Sequence, residues 1–248
     1  INNKELLKHK NNIIQINKKK SQLYKSAYRY LESAGLISEE INSIYDSFTD
    51  EKLFNELCFN SVSKIFDNEH DTKNNYFGTA RKMFSEAYTS NGYINYTTSH
   101  YEDEKIIAVI GENINYISRL LEFILSEAIK RGLNADCFYR PLNPDKLQHI
   151  FIPNLNTMII SSDNHLSCDY DEIINLHEIM DLDNLRAHIS EIENNLHLYD
   201  LLISNALDKL ADAKKYHELL EVIYVNSMDF EGVNQCFDKY FDSLLNKI

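Results

Sequence analysis

Gly111 and Ser118 are the residues of this chain with the clearest claim on chemistry. They stand seven positions apart, after the apolar run 106–110 and ahead of a helical stripe of Leu120, Leu121, Ile124, Leu125 and Ala128. A glycine and a hydroxyl at that separation, between a strand and a helix, frame the phosphate-binding loop G-x-x-x-x-G-K-[ST]. In such a loop the glycines let backbone N–H groups close on the phosphates. The lysine supplies charge at the β/γ-phosphates and the hydroxyl meets Mg2+. Here Tyr116 and Ile117 occupy the second glycine and lysine positions. A bulky residue tolerates positive φ poorly, and isoleucine carries no charge. Arg119 is the nearest cation, but two residues along a helix is a rotation of about 200°, which aims it elsewhere. The strand 157–161 should end directly in an aspartate for the metal; Ser161 and Ser162 come first and Asp163 lies late. The frame is present and its chemistry is gone.

Other constellations are weaker. His165, Cys168 and His177 form the best metal-like grouping, but a structural zinc site wants four ligands and no fourth is evident. Packing or surface roles are the reading for all three. His149 lies beside Ile150 and Ile152 and reads as a hydrogen-bonded histidine at a core edge. Asn143-Pro144-Asp145 is a turn and helix-start signal. Neither Cys137 nor Ser118 has a base partner that the sequence defines, so nucleophilic catalysis finds no support.

The elements that must position Gly111 and Ser118 belong to a repeat. Sliding residues 1–69 onto 180–248, an offset of 179 without gaps, pairs Leu6 with Leu185, His9 with His188, Ile13 with Ile192, Ala27 with Ala206 and Leu31 with Leu210. The polar matches Asp50/Asp229 and Asn55/Asn234, and the absence of gaps, favour a true duplication. Each copy reads as a helical arm, with apolar residues every three or four positions. Asp50 and Asp229 are candidate N-caps for a last helix in each. Residues 67–75 are polar and turn-like, a unit boundary. The middle, 76–180, alternates strands and helices: a hairpin across 87–97 turning at Ser90-Asn91-Gly92, strand 105–110, helix 117–131, and strands 136–140, 157–161 and 173–176. That order predicts an α/β unit with a mainly parallel sheet. Three segments follow: a helical arm at 1–69, the α/β core at 76–180, and a second arm at 181–248.

Composition sets the outer limits. With 44% hydrophobic and 25% charged residues the chain is of ordinary globular make-up. Its formal net charge of −13 disfavours nucleic acid as a partner. No apolar run is long enough to span a membrane and no signal-peptide pattern is present. The four cysteines are widely spaced, which fits structural thiols and a cytoplasmic location. The first residue is Ile rather than Met, so the chain reads as starting inside a longer protein. Charge is uneven: residues 1–29 sum to +7, whereas the aligned residues 180–208 sum to −5. Opposite signs on equivalent elements predict that the arms pack together about a pseudo-twofold axis, with apolar stripes supplying the energy and charge the register.

The segment 84–96, the region 111–121 and above all the stretch CFYRPLNPDKLQHIFIPNLNTMIISSD, residues 137–163, resemble a family of uncharacterised bacterial tandem ATPases with two phosphate-loop units in one chain. The resemblance covers most of 76–248, and residues 1–69 look like the tail of a preceding unit. It implies a P-loop NTPase-like fold flanked by helical arms. In the family the loop ends in Gly-Lys-Ser or Gly-Lys-Thr; only Gly111 and Ser118 carry over, with Arg119 as the adjacent cation of a degenerate nucleotide site. The expected role is a silent unit, a structural or regulatory partner of an upstream unit or of a second copy. Two alternatives stand beside it: an ATP-binding protein whose catalytic groups come in trans, and a helical adaptor. No cofactor is expected, ATP with Mg2+ being what residual binding would take.

Overall fold

A computed structural model describes residues 3–66, 76–97, 104–162 and 170–245. The expected boundary at 67–75, together with Asp163, His165 and Cys168, lies outside them. The chain opens with α1 (Asn3–Lys8), α2 (Lys10–Ser47) and α3 (Glu51–Phe66). The α/β unit follows: β1 (Ala80–Met83), the hairpin β2 (Glu86–Thr89) and β3 (Gly92–Asn95), β4 (Lys105–Ile110), α4 (Ile114–Lys130), β5 (Ala135–Tyr139), β6 (Leu147–Ile152), β7 (Thr157–Ser162) and β8 (Glu172–Asn175). The second arm is α5 (Leu182–Leu185), α6 (Ile189–Asn226) and α7 (Phe230–Leu245).

Six strands form one sheet in the order β1-β5-β6-β7-β4-β8. It is mainly parallel; β6 alone runs against both its neighbours. Two of its strands are absent from the sequence reading, for different reasons. β1 is an edge strand with little apolar content, held by its ladder to β5 and by a bidentate Arg81–Asp136 pair. β6 follows Asn143-Pro144-Asp145, which makes the expected turn (Lys146 N–H donates to the Asn143 carbonyl, 2.8 Å) but leads into a strand, not a helix. A short apolar run cannot by itself distinguish the two outcomes.

The core lies between the sheet and α4. Leu120, Leu121, Ile124 and Ala128 of α4 are fully buried against Ile107, Val109, Ile150, Ile152 and Ile159. α4 stops where Gly132 takes φ +77°, a conformation costly for other residues, with its N–H on the Ile129 carbonyl. α3 completes the same core with Phe54, Cys58, Val62 and Phe66.

The repeat is legible in the element bounds. α2 and α6 each have 38 residues and both their ends coincide under the offset of 179, as do the starts of α3 and α7. The arms pair, as expected. Lys19 sits 5.8 Å over the Tyr216 ring, while Phe48 meets His188 with ring centroids 5.1 Å apart, so α2 and α6 run antiparallel. Ala27, Ala34, Ala206 and Ala213 are fully buried along them. Counting inward from those two contacts brings Ala27 to within about a turn of its own repeat equivalent, Ala206. An antiparallel pair of equivalent helices that meet at equivalent residues has a pseudo-twofold axis there. No ion pair joins α2 to α6 among the described residues. Small and apolar side chains hold the arms, and the opposite charges act only at longer range.

Candidate functional site

The strand–turn–helix around Gly111 is present, but its helix opens earlier than the spacing predicts. α4 starts at Ile114, not near Ser118, leaving a connection of Gly111, Glu112 and Asn113. The cause is Asn113, an N-cap in extended conformation whose Oδ1 accepts the N–H groups of Asn115 (3.1 Å) and Tyr116 (3.3 Å). Four residues, 114–117, that the expected helix start near Ser118 would leave in the loop are thereby wound into the helix. Gly111 has φ +151°, and a Cβ there would lie 2.9 Å from Cβ of Leu176. Its glycine is accounted for by backbone geometry and close packing.

A helix N-terminus leaves four N–H groups without intrahelical partners, and these are what bind an anion. In α4 the three at Ile114, Asn115 and Tyr116 are taken by side chains, and Ile117 makes the first intrahelical bond. Ile114 N–H donates to Oδ1 of Asn42 (2.7 Å), Asn115 and Tyr116 donate to the Asn113 side chain, and Ile117 donates to the Asn113 carbonyl (3.0 Å). Asn42 comes from α2, which crosses this end of the sheet. One turn on, the Asp46 carboxylate accepts from the side-chain amides of Asn113 (3.0 Å) and Asn115 (2.9 Å). An acidic group stands at the positive end of the helix dipole, where an anionic ligand would be favoured. The chain supplies its own anion.

Ser118 and Arg119 are committed elsewhere. Ser118 is buried inside α4; its Oγ donates to Glu122 (3.0 Å) and accepts the Leu147 N–H (2.9 Å), tying the helix to the start of β6. Arg119 points away from the loop, as its helical position predicts. It forms a bidentate pair with Glu51 of α3 (2.8 and 2.9 Å) and lies over the rings of Phe54 and Tyr116. Tyr116 donates its hydroxyl to the same carboxylate at 2.8 Å. Tyr116 and Arg119 thus form a clasp between α4 and α3.

Comparison with protein-family models, with curated proteins and with solved structures finds no match to this chain. The geometry of the site therefore has to carry the functional argument alone.

Hydrogen bonds from Arg119 and Tyr116 hold the Glu51 carboxyl down at about 2, against an ordinary value of 4.5. A carboxyl lowered by folding adds stability that is complete above its ordinary value and lost as pH falls toward the folded one. Glu51 is more than half exposed, so solvent screening limits the pair to about 1 kcal/mol. Glu51→Gln is expected to show a deficit of that size in urea melts near neutral pH, shrinking between pH 4.5 and 2. A deficit that ignores pH would contradict the assignment.

A second polar cluster lies where β2 meets β6. The buried Glu86 carboxylate accepts from the side-chain amide of Asn95 (2.9 Å) and stands 3.8 Å from Nε2 of His149. Burial pushes this carboxyl up, but the neighbouring His149 imidazole and the Tyr93 and Gln148 side chains outweigh it and hold it below the usual range. Nδ1 of His149 accepts the Ser161 N–H at 3.2 Å, matching the reading of a hydrogen-bonded histidine. The cluster fixes the hairpin to the sheet, while Tyr88 and Tyr199 join it to α6 through their hydroxyls, 3.0 Å apart. His177 contacts Glu112 at 2.7 Å. No group of three metal-binding side chains occurs among the described residues. None of their helices is long and apolar enough to cross a membrane.

Asn42, Asp46 and Glu86 have no motif around them. The first two act through contacts 67 to 72 residues away in sequence, and Glu86 through a side-chain approach to His149 of β6 that spacing does not reveal. The only local signal is negative: Asn42 and Asp46 interrupt the apolar face of an arm.

Proposed function

We propose that this chain is a degenerate P-loop NTPase-like unit that serves as a structural or regulatory partner of another ATPase unit and does not itself turn over nucleotide. The observation that carries this reading is the N-terminus of α4, where the free amides of Ile114, Asn115 and Tyr116 are occupied by the side chains of Asn42 and Asn113, with Asp46 beside them. A phosphate would have to displace those side chains, meet a carboxylate, and bind without the lysine that Ile117 replaces. The buried, doubly bonded Ser118 hydroxyl is withdrawn from any metal. What remains of a nucleotide site is a scaffold that seats an arm.

Calorimetric titration of the 248-residue chain with MgATP tests this directly. The expected result is no binding heat at millimolar nucleotide and no phosphate release. Micromolar affinity, weakened by substitutions at Ser118, would overturn the reading in favour of an ATP-binding protein completed in trans.

A further inference from the structure

The two arms end in the same helix placed in different surroundings. α3 and α7 are opened by equivalent caps: Oδ1 of Asp50 accepts the Leu53 N–H at 3.0 Å, and Oδ1 of Asp229 accepts the Gly232 N–H at 2.9 Å. The next amide in each, Phe54 or Val233, donates to the carbonyl of the same aspartate. α3 is seated on α4, with Phe54 3% exposed, Cys58 3%, Val62 9% and Phe66 5%. Their equivalents in α7 are Val233 at 47%, Phe237 at 65%, Phe241 at 50% and Leu245 at 56%. No residue of α7 is buried. The face that α3 uses to grip a core is conspicuously apolar in α7 and open to water, which an isolated protein rarely tolerates over such an area.

We propose that α7 is the clasp for a second α/β core of the same build as residues 76–180, the core of a repeat unit that precedes residue 3. The proposal rests on the reading that this chain partners another unit, and names the surface and the partner. Residues 76–245 run core, arm, clasp; residues 3–66 repeat the arm and the clasp, and that clasp grips the core that follows it. Reciprocity about the pseudo-twofold axis at Ala27 and Ala206 places the other core against α7. A second copy of this chain does not fit as it stands, because its α4 is already covered by its own α3. The two clasps also differ in chemistry. Glu51, which holds Arg119, corresponds to Phe230 in α7, so the cognate core should offer an apolar surface where this one offers a guanidinium. That difference keeps each clasp on its own core.

Hydrogen exchange and sedimentation velocity, run on the 248-residue chain and on the same chain extended upstream along its own gene, test the proposal. In the 248-residue chain the α7 amides should exchange almost unprotected, and Phe237→Asp should alter neither stability nor sedimentation. In the extended protein those amides should slow by about 100-fold or more, and Phe237→Asp should abolish the slowing. An upstream sequence that encodes no such core, or α7 exchange unchanged by its presence, would overturn the proposal. So would a dimer of the 248-residue chain that Phe237→Asp dissolves, since the occupant would then be a second copy. ATP binding in the titration above would remove the silent-site reading and leave α7 protection intact, so the two failures are separable.

Discussion

Ile117→Lys, which puts a lysine where the proposed phosphate-loop reading would require one, is expected to unfold the protein before it creates a site. Ile117 is fully buried in the core between α4 and the sheet, among Leu120, Leu121 and Ile124. Because α4 begins at Ile114, position 117 belongs to the helix and faces the sheet. A lysine there would place an ammonium in apolar surroundings with no partner. Such a burial costs at least about 3 kcal/mol even after the group has lost its proton. Urea denaturation should show a loss of that order, with no gain in the MgATP titration. A variant as stable as the parent that binds ATP would show that α4 can unwind its first turn, and the closed-site reading would fall.

The second large effect concerns the arms. Ala27→Glu and Ala206→Glu should each cost about 2–4 kcal/mol, because both positions are fully buried between α2 and α6 and a carboxylate there has no partner. Glutamate is a good helix former, so the loss measures the packing and not the helix itself. The pseudo-twofold axis adds a sharper expectation, namely similar costs at the two sites, since each lies near its own repeat equivalent across the helix pair. Leu36→Glu, on the exposed side of α2, should stay within about 0.5 kcal/mol. Losses below 1 kcal/mol at both alanines would mean that the arms do not meet there in solution.

Much of this architecture is written in short-range pattern. The duplication and the helical arms follow from apolar spacing and an ungapped offset, and the pairing of the arms is expected from their opposite charges, which make no ion pair between α2 and α6 among the described residues. The strands β4, β5, β7 and β8, the hairpin and α4 follow from periodicity and turn chemistry. The start of α4 does not, because one asparagine cap outweighed a spacing borrowed from a loop that needs glycines. β1 is hidden by being an edge, and β6 by a turn signal shared with helix starts. The site is the least legible part. Gly111, Ser118 and Arg119 draw notice by type and interval, yet each is explained by a neighbour far off in the chain: Leu176, Leu147 and Glu51. The residues that close the site, Asn42 and Asp46, sit on a helix that sequence reasoning treats as a separate arm. Spacing reports local geometry, and closure here is a tertiary event.

The occupied amides of α4 also bear on history. A loop that had merely lost its lysine could regain it by one mutation. Here Asn113 caps the helix after a short connection, Asn42 and Asp46 bond to its first turn, and Ile117 is buried in the core. Each reversal made alone leaves a broken hydrogen bond or a stranded charge, and only several together would reopen the pocket. If the proposed reading holds, loss of the site is a one-way step, a ratchet that selection on stability alone would hold shut.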